Sequence, residues 1–273
     1  MSCRHDLPGE IDAGGRQLKS GSVVTMVTGG TDGIIRFSLD APAQERPDVW
    51  IDLDGNGLRA EDGSEEVEVF NVRRDYTLAS GVSKIAIHGN ITYLNGASNR
   101  LTEVDVSGNP ALVVLNLPVN DLATIDVSHN AALERLDISN NRIHSLNISA
   151  SSKIVSLWCF NNKLKTLDLS ENVSLTELDC SGNELTGLDL SANGKLRQLL
   201  AYNNRLTTLD ISQTPLLNRL WLFGNGFSDA EMRNILSSLR STIGGDLWMA
   251  VEPLNDALTA VAAEKGWRCE TDN

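Results

Sequence analysis

Residues 91–216 divide, without a gap, into six consecutive blocks of 21 residues. They read ITYLNGASNRLTEVDVSGNPA (91–111), LVVLNLPVNDLATIDVSHNAA (112–132), LERLDISNNRIHSLNISASSK (133–153), IVSLWCFNNKLKTLDLSENVS (154–174), LTELDCSGNELTGLDLSANGK (175–195) and LRQLLAYNNRLTTLDISQTPL (196–216). A seventh unit opens at Leu217 and breaks off after Asn225. A period this strict means that one coil shape recurs and stacks on its own copies. Positions 1, 4, 6, 11, 14 and 16 of each unit are aliphatic, with Gly96, Cys159, Cys180 and Ala201 as small variants at position 6. Position 9 is Asn throughout: Asn99, Asn120, Asn141, Asn162, Asn183, Asn204 and Asn225. Each LxL reads as a short strand whose alternate side chains point inward. The Asn after it turns the corner, its amide free to bond backbone groups of the neighbouring coil. A single coil cannot bury its own aliphatics, so the array must fold cooperatively and be capped at both ends.

Within each block the phrase LxxLxLxxN occurs twice, as in LTELDCSGN followed by ELTGLDLSAN. This pattern resembles the nested 21-residue (IRREKO) class of bacterial leucine-rich repeats over residues 91–225. The resemblance implies a mainly β leucine-rich-repeat solenoid with little helix and two short-stranded parallel sheets, strands about 4.8 Å apart.

The flanks differ in texture. After Asn225, FSDAEMRNILSSLRS offers a capping box, Ser228 with Glu231, before an apolar helical spacing. GDLWMAV reads as a strand, PLNDALTAVAAEKG as a helix ending at Gly266, and WRCE as a last strand. Residues 226–273 are therefore expected to form an α/β cap, and they resemble the C-terminal caps of Bacteroidetes surface leucine-rich-repeat proteins. Residues 17–90 carry period-two runs (SVVTMV, GIIRFSLDA, DVWIDLD, EVEVFNV, KIAIHG) separated by Gly-rich turns. They predict a small antiparallel β domain packed on the first repeat, similar to β modules that precede such repeats in gut Bacteroidetes proteins. Residues 1–16 are expected to be a disordered tail.

The formal net charge of -13 repels phosphate backbones and anionic lipid, which argues against nucleic acid or a membrane surface as partner. No run of 18 apolar residues appears, so no membrane span is expected. The N-terminus lacks the apolar core of a signal peptide. Ser2-Cys3 resembles the end of a lipobox, in which Cys3 would carry lipid; the other reading is an incidental Cys in the tail.

Three features suggest sites. Asp52, Asp54 and Asn56, with Gly57 at the sharp turn and Leu58 as a carbonyl ligand, match the front half of a calcium loop. Gly63 stands where a bidentate Glu belongs, so Asp62 or Glu65 would have to substitute; the alternative is a plain Asn/Gly hairpin turn. Calcium is the cofactor this loop would take, and the repeats themselves require none. At position 15 stand Asp105, Asp126, Asn147, Asp168, Asp189 and Asp210, each followed two residues on by Ser. Local bonds to that Ser or to a nearby amide are expected to offset repulsion between stacked carboxylates; the other reading is a cation-binding ladder.

The third feature is a stripe at positions 5 and 7, which flank the inward residue of the first strand: Trp158 and Phe160, Leu200 and Tyr202, Trp221 and Phe223. Asp179 and Ser181 interrupt it. Aromatics on an outward strand face form either a ligand surface or a patch covered by the cap or a sister protomer. Cys159 and Cys180 hold the same inward position in adjacent coils, a poor disulfide geometry, and are expected as buried thiols. The four histidines have no base–nucleophile spacing, and no catalytic motif is present, so the chain is read as a non-enzyme. The expected function is recognition of a protein or glycan at the cell surface or after secretion, in adhesion for example. Self-association into a homodimer through the same face is the alternative.

Overall fold

The computed structural model describes residues 22–242, 244–249 and 256–269. The 1–16 tail and Cys3 lie outside the described residues.

The N-terminal segment contributes β1 (Val23–Thr28), β2 (Ile34–Asp40), β3 (Trp50–Asp52), β4 (Arg74–Thr77) and β5 (Lys84–His88). The first repeat contributes β6 (Tyr93–Asn95) and β7 (Leu101–Asp105). One strand then follows per coil: β8 (Val114–Asn116), β9 (Arg135–Asp137), β10 (Ser156–Trp158), β11 (Glu177–Asp179), β12 (Gln198–Leu200) and β13 (Arg219–Trp221). The C-terminal segment runs α1 (Asp229–Ser238), β14 (Gly245–Trp248), α2 (Asp256–Glu264) and β15 (Trp267–Cys269).

The first phrase of every coil pairs in register with its neighbours, Leu136 beside Leu157, Leu157 beside Leu178, Leu178 beside Leu199. The result is a parallel ladder from β6 to β15, extended antiparallel through β2 to β4, eleven strands in all. Inward side chains of every coil join one continuous apolar core that also takes in Val24, Phe37, Ile87, Ile235 and Trp267. Burial of this apolar area is what binds the otherwise unstable coils together.

The position-9 asparagines stitch coil to coil. Asn183 donates from Nδ2 to the carbonyls of Cys159 (3.0 Å), Cys180 (3.0 Å) and Ser181 (3.2 Å), and its Oδ1 accepts from Leu164 N–H at 3.0 Å. At the N-terminal end Asn99 makes the corresponding contacts to Arg36, donating to its carbonyl (2.6 Å) and accepting from its N–H (2.7 Å). Strand β2 thus stands where a preceding coil would stand. The segment before residue 91 does more than pack on the first repeat: β2 continues one sheet through β6, and β1 pairs antiparallel with both β5 and β7.

Two sequence expectations are corrected. The second phrase of repeats two to six builds no second parallel sheet; its coils share a single backbone bond each, such as Asp121 N–H to the Leu101 carbonyl at 2.9 Å. The N–H of each Ser at position 17 bonds its own Asp or Asn at position 15, as from Ser170 to Asp168 Oδ1 at 2.9 Å. The run EVEVFNV is likewise no strand beyond one bridge between Trp50 and Glu66. The edge of β2 is taken instead by β4, where Phe37 stacks on Tyr76 at 4.4 Å and Arg36 pairs with Asp75.

Beyond the last coil, Ser228 caps α1 by accepting from Glu231 N–H. Glu231 does not return to Ser228; its carboxylate accepts from Leu209 N–H at 3.1 Å and docks the helix on the preceding coil. Gly266 has φ of +80°, and a Cβ there would lie 1.9 Å from the Thr242 carbonyl, so this turn admits only glycine.

A candidate recognition face

Strand alternation puts positions 5 and 7 of each coil on the outer side of the parallel sheet. In-register pairing then aligns them as columns: Asp137, Trp158, Asp179, Leu200, Trp221 and Trp248 follow one another on successive strands. The expected stripe residues Trp158, Phe160, Leu200, Tyr202, Trp221 and Phe223 are all half-buried. Four rings form a continuous group: Tyr202 stacks on Phe223 at 4.5 Å, Phe223 lies 4.1 Å from Trp248, and Trp248 meets Trp221 edge-on at 5.5 Å. Offset and edge contacts of this kind favour rings beyond their buried area. Trp248 lies past the last repeat, near the expected stripe but outside it in sequence; β14 brings it into the same column by continuing the ladder. Arg219 edges the group, its guanidinium 5.9 Å from the Trp221 ring and bonded to Asp246 (3.0 Å) and Gln198 (3.2 Å).

Trp158 and Phe160 are parted from this group by the row of Asp179 and Ser181. Asp179 is 9% exposed and Ser181 fully buried, so the row is a dent between taller neighbours. Asp179 Oδ1 accepts from Ser181 N–H (3.1 Å) and Ser181 Oγ–H (2.6 Å). Burial nevertheless pushes the Asp179 carboxyl above its ordinary value, the Ser181 bonds oppose this, and the charge of Asp137 adds to the rise.

The opposite flank carries the same Asp-x-Ser motif in the open. Asp105, Asp126, Asp168, Asp189 and Asp210 all sit below the ordinary carboxylate value, chiefly because the Ser two residues on donates to them. Repulsion from stacked neighbours, as of Asp168 on Asp189, is the smaller effect. A shallow hollow of ≈ 350 Å³ lies here, lined among others by Asn147, Ser149, Asp168 and Glu171.

At the N-terminal end the candidate calcium loop gathers three carboxylates. Ligand oxygens of Asp52, Asp54 and Glu65 lie within 4.8 Å of one another, Asp52 being 5% and Glu65 4% exposed. Glu65, not Asp62, is the distal acid: Asp62 turns to Ser64 N–H instead (2.9 Å). Asp52 accepts from Gly55 and Gly57, and Glu65 from Leu53 and Ala60. Asn56 bonds Asp54 and the Leu58 N–H, and the Leu58 side chain is 70% exposed. An all-oxygen set of this kind suits a hard divalent cation. Cys159 and Cys180 are buried and free, and burial drives both thiols far above their ordinary value, which makes them inert packing groups.

The Leucine Rich Repeat family profile matches residues 132–159 and 174–196. An internalin (InlF) of Listeria monocytogenes is similar in structure with a TM-score of 0.53 and 20% identity, over 62% of this chain and 49% of that one. The functional domain of InlJ from the same organism, which includes a cysteine ladder, gives 0.49 and 24%, over 68% and 51%. A leucine-rich-repeat protein of Leptospira interrogans gives 0.48 and 29%, over 49% and 37%. The chain thus spans about half the length of these proteins, or less. None of the curated proteins matches. The fold is a mainly β leucine-rich-repeat solenoid with few helices, and none of its described helices is long and apolar enough to cross a membrane.

Proposed function

We propose that the chain is a protein-binding module whose contact surface is the outer sheet face from β10 to β14. The observation that carries this reading is the continuous ring group of Tyr202, Trp221, Phe223 and Trp248 on a rigid ladder. Aromatic anchors on a pre-ordered surface bind with little loss of side-chain freedom, and such residues dominate binding hot spots. Location at the cell surface or outside the cell belongs to the same proposal.

Arrays of extracellular-matrix proteins and glycans, probed with wild type, Trp158→Ala and Trp221→Ala, test it. The expected result is capture of a protein that falls at least tenfold in both variants while Tm stays within a few degrees. Capture of glycans alone would move the face to sugar recognition. A dimer in sedimentation that dissociates on Trp221→Ala would make it a self-association surface. A large fall in Tm would make the rings packing groups.

The Asp52–Asp54–Glu65 loop supports a second, independent reading as a calcium site. Calorimetric heat with calcium on wild type that vanishes in Asp54→Ala is expected; no heat in either leaves the loop a hydrogen-bonded clasp.

A further inference from the structure

Among the acids of the sheet face, Asp179 is the buried one whose charge no cation of the fold meets. It sits on β11 with Trp158 of β10 on one side and Leu200 of β12 on the other, in register with both. In the next column Ser181 lies between Phe160 and Tyr202, tied to both coils by backbone bonds from Asn161 N–H to the Ser181 carbonyl and from Gly182 N–H to the Tyr202 carbonyl (2.9 Å each). The acid is therefore the floor of a slot walled by Trp158 and Phe160 on one side and by Leu200 and Tyr202 on the other. Both Ser181 bonds fall on Oδ1, and among the described residues no donor bonds Oδ2 and no Lys or Arg pairs with the carboxylate. The nearby charges deepen the demand. Asp137 stands one strand beyond Trp158, and Glu177 shares β11, held by Ser156 Oγ–H at 3.1 Å.

The clasp to Ser181 does not account for a carboxylate. Asn147 makes the same two bonds with Ser149, from its N–H (3.1 Å) and its Oγ–H (2.8 Å), and does so with a neutral amide. A carboxylate on a residue only 9% exposed, where an amide would serve the fold, costs free energy that an incoming cation would return.

We propose that this slot receives an arginine side chain of a protein partner, its guanidinium on Asp179 and its flat faces against Trp158 and Phe160 on one wall and Tyr202 on the other. The inference rests on the reading of the sheet face as a partner-binding surface. Two strand steps separate the backbones that carry the walls by about 9.6 Å. A planar group packed at about 3.5–4.0 Å from each wall needs some 7–8 Å, so the slot accommodates it. Guanidinium combines stacking on aromatic faces with forked donation to a carboxylate, which a compact ammonium does not.

Peptide selection on the immobilised full chain tests the slot without a known partner. Peptides from a displayed random library are selected on wild type, synthesised, and measured by titration against wild type, Asp179→Asn and Trp158→Ala. The selected peptides are expected to share an arginine whose replacement by citrulline weakens binding at least tenfold. Asp179→Asn should weaken it equally, with no further loss when both changes are combined, since the two groups then form one interaction. A Tm for Asp179→Asn no lower than wild type shows that the fold is intact, and Glu171→Gln on the far flank controls for net charge. Binders that need Trp158 but tolerate Asp179→Asn and citrulline overturn the arginine slot while leaving the binding face standing. Binders indifferent to all the substitutions, or no binders, overturn both.

Discussion

The two phrases of each repeat are near copies, LTELDCSGN against LTGLDLSAN in repeat five, yet they build different flanks. The first phrase ends at a residue with positive φ before its Asn: Ser98, Val119, Asn140, Asn161, Gly182, Asn203 and Gly224, between 52° and 67°. The second ends at Gly108, His129, Ala150, Glu171, Ala192 and Gln213, none of which has positive φ. That one backbone state separates the flanks. It turns the chain sharply enough for the position-9 amide to reach two coils at once, and the coils then approach closely enough to share a ladder. The second corner has its own asparagines, but after Asn109, which both donates to the Gly89 carbonyl and accepts from Ile91 N–H, the remaining Asn130, Asn172 and Asn193 are used by halves. Asn193 donates to the carbonyls of Leu169 (3.2 Å) and Asn172 (3.1 Å), while its buried Oδ1, like those of Asn130 and Asn172, has no donor.

The largest effect that would break this comparison lies in the two asparagine series. Asn183→Ala strips the Leu164 N–H of its acceptor and takes one of two donors from the carbonyls of Cys159, Cys180 and Ser181, which keep Asn162, Asn204 and the Asn161 N–H; a buried group left unpaired costs about 1–3 kcal/mol. A loss of about 2–3 kcal/mol is expected in urea titration. Asn193→Ser should cost less than about 1 kcal/mol, because Ser151 already fills that position in repeat three, bonding the Asn130 carbonyl at 3.1 Å. Equal losses would mean that the flanks share the load.

Next in size is the corner itself. Gly182→Ala is expected to lower stability by about 1–2 kcal/mol, since φ is +61° and the added Cβ would lie 2.2 Å from Asn161 Oδ1. Ala192→Gly at the matching point of the second phrase should cost about 1 kcal/mol at most. The reverse ranking, read from thermal melts, would show that the turn state is not what separates the flanks.

The smallest effect is in pH, where the Asp-x-Ser motifs of the two flanks have opposite signs. Asp179 is raised, so its ionisation in the folded state costs stability as pH rises from the unfolded carboxylate value, about 3.9, through the folded one. Asp179→Asn should therefore raise Tm at pH 7, with the gain vanishing below about pH 4. Asp168, Asp189 and Asp210 are lowered, so they contribute stability above the unfolded value that is lost as pH falls through the folded one. Changing all three to Asn should flatten the acid limb of the melting profile below about pH 4; an unchanged limb would remove their role.

Much of this was legible in the residues. The 21-residue period, the inward aliphatics and the position-9 amides follow from spacing alone, and Ser228 marked the start of α1. The missing second sheet was harder to foresee, because strand spacing is the same in both phrases and the difference lies in the backbone state of a residue between them. The signal existed, Asn and Gly at position 8 against Ala, His, Glu and Gln at position 18, but Ser98 and Val119 in the first series and Gly108 in the second blur it. The period-two run at 66–72 looked like a strand because alternation records which side chains are apolar, not whether an edge is free to pair with. In the acidic loop, the choice of Glu65 over Asp62 depends on how the chain folds back after Gly63. At the face, Asp179 read as a gap in the stripe; only its burial and its unshared oxygen turn the gap into a feature.

The asparagine stitching has a consequence for how such a molecule can change. Every coil offers its successor the same backbone groups and asks the same of its predecessor, so a coil can be removed, copied or exchanged without altering either terminal segment. Length then varies in whole coils. The outward residues, which the stitching ignores, can be rewritten one row at a time, so the surface works like type set on a ruled line, editable in steps of about 4.8 Å.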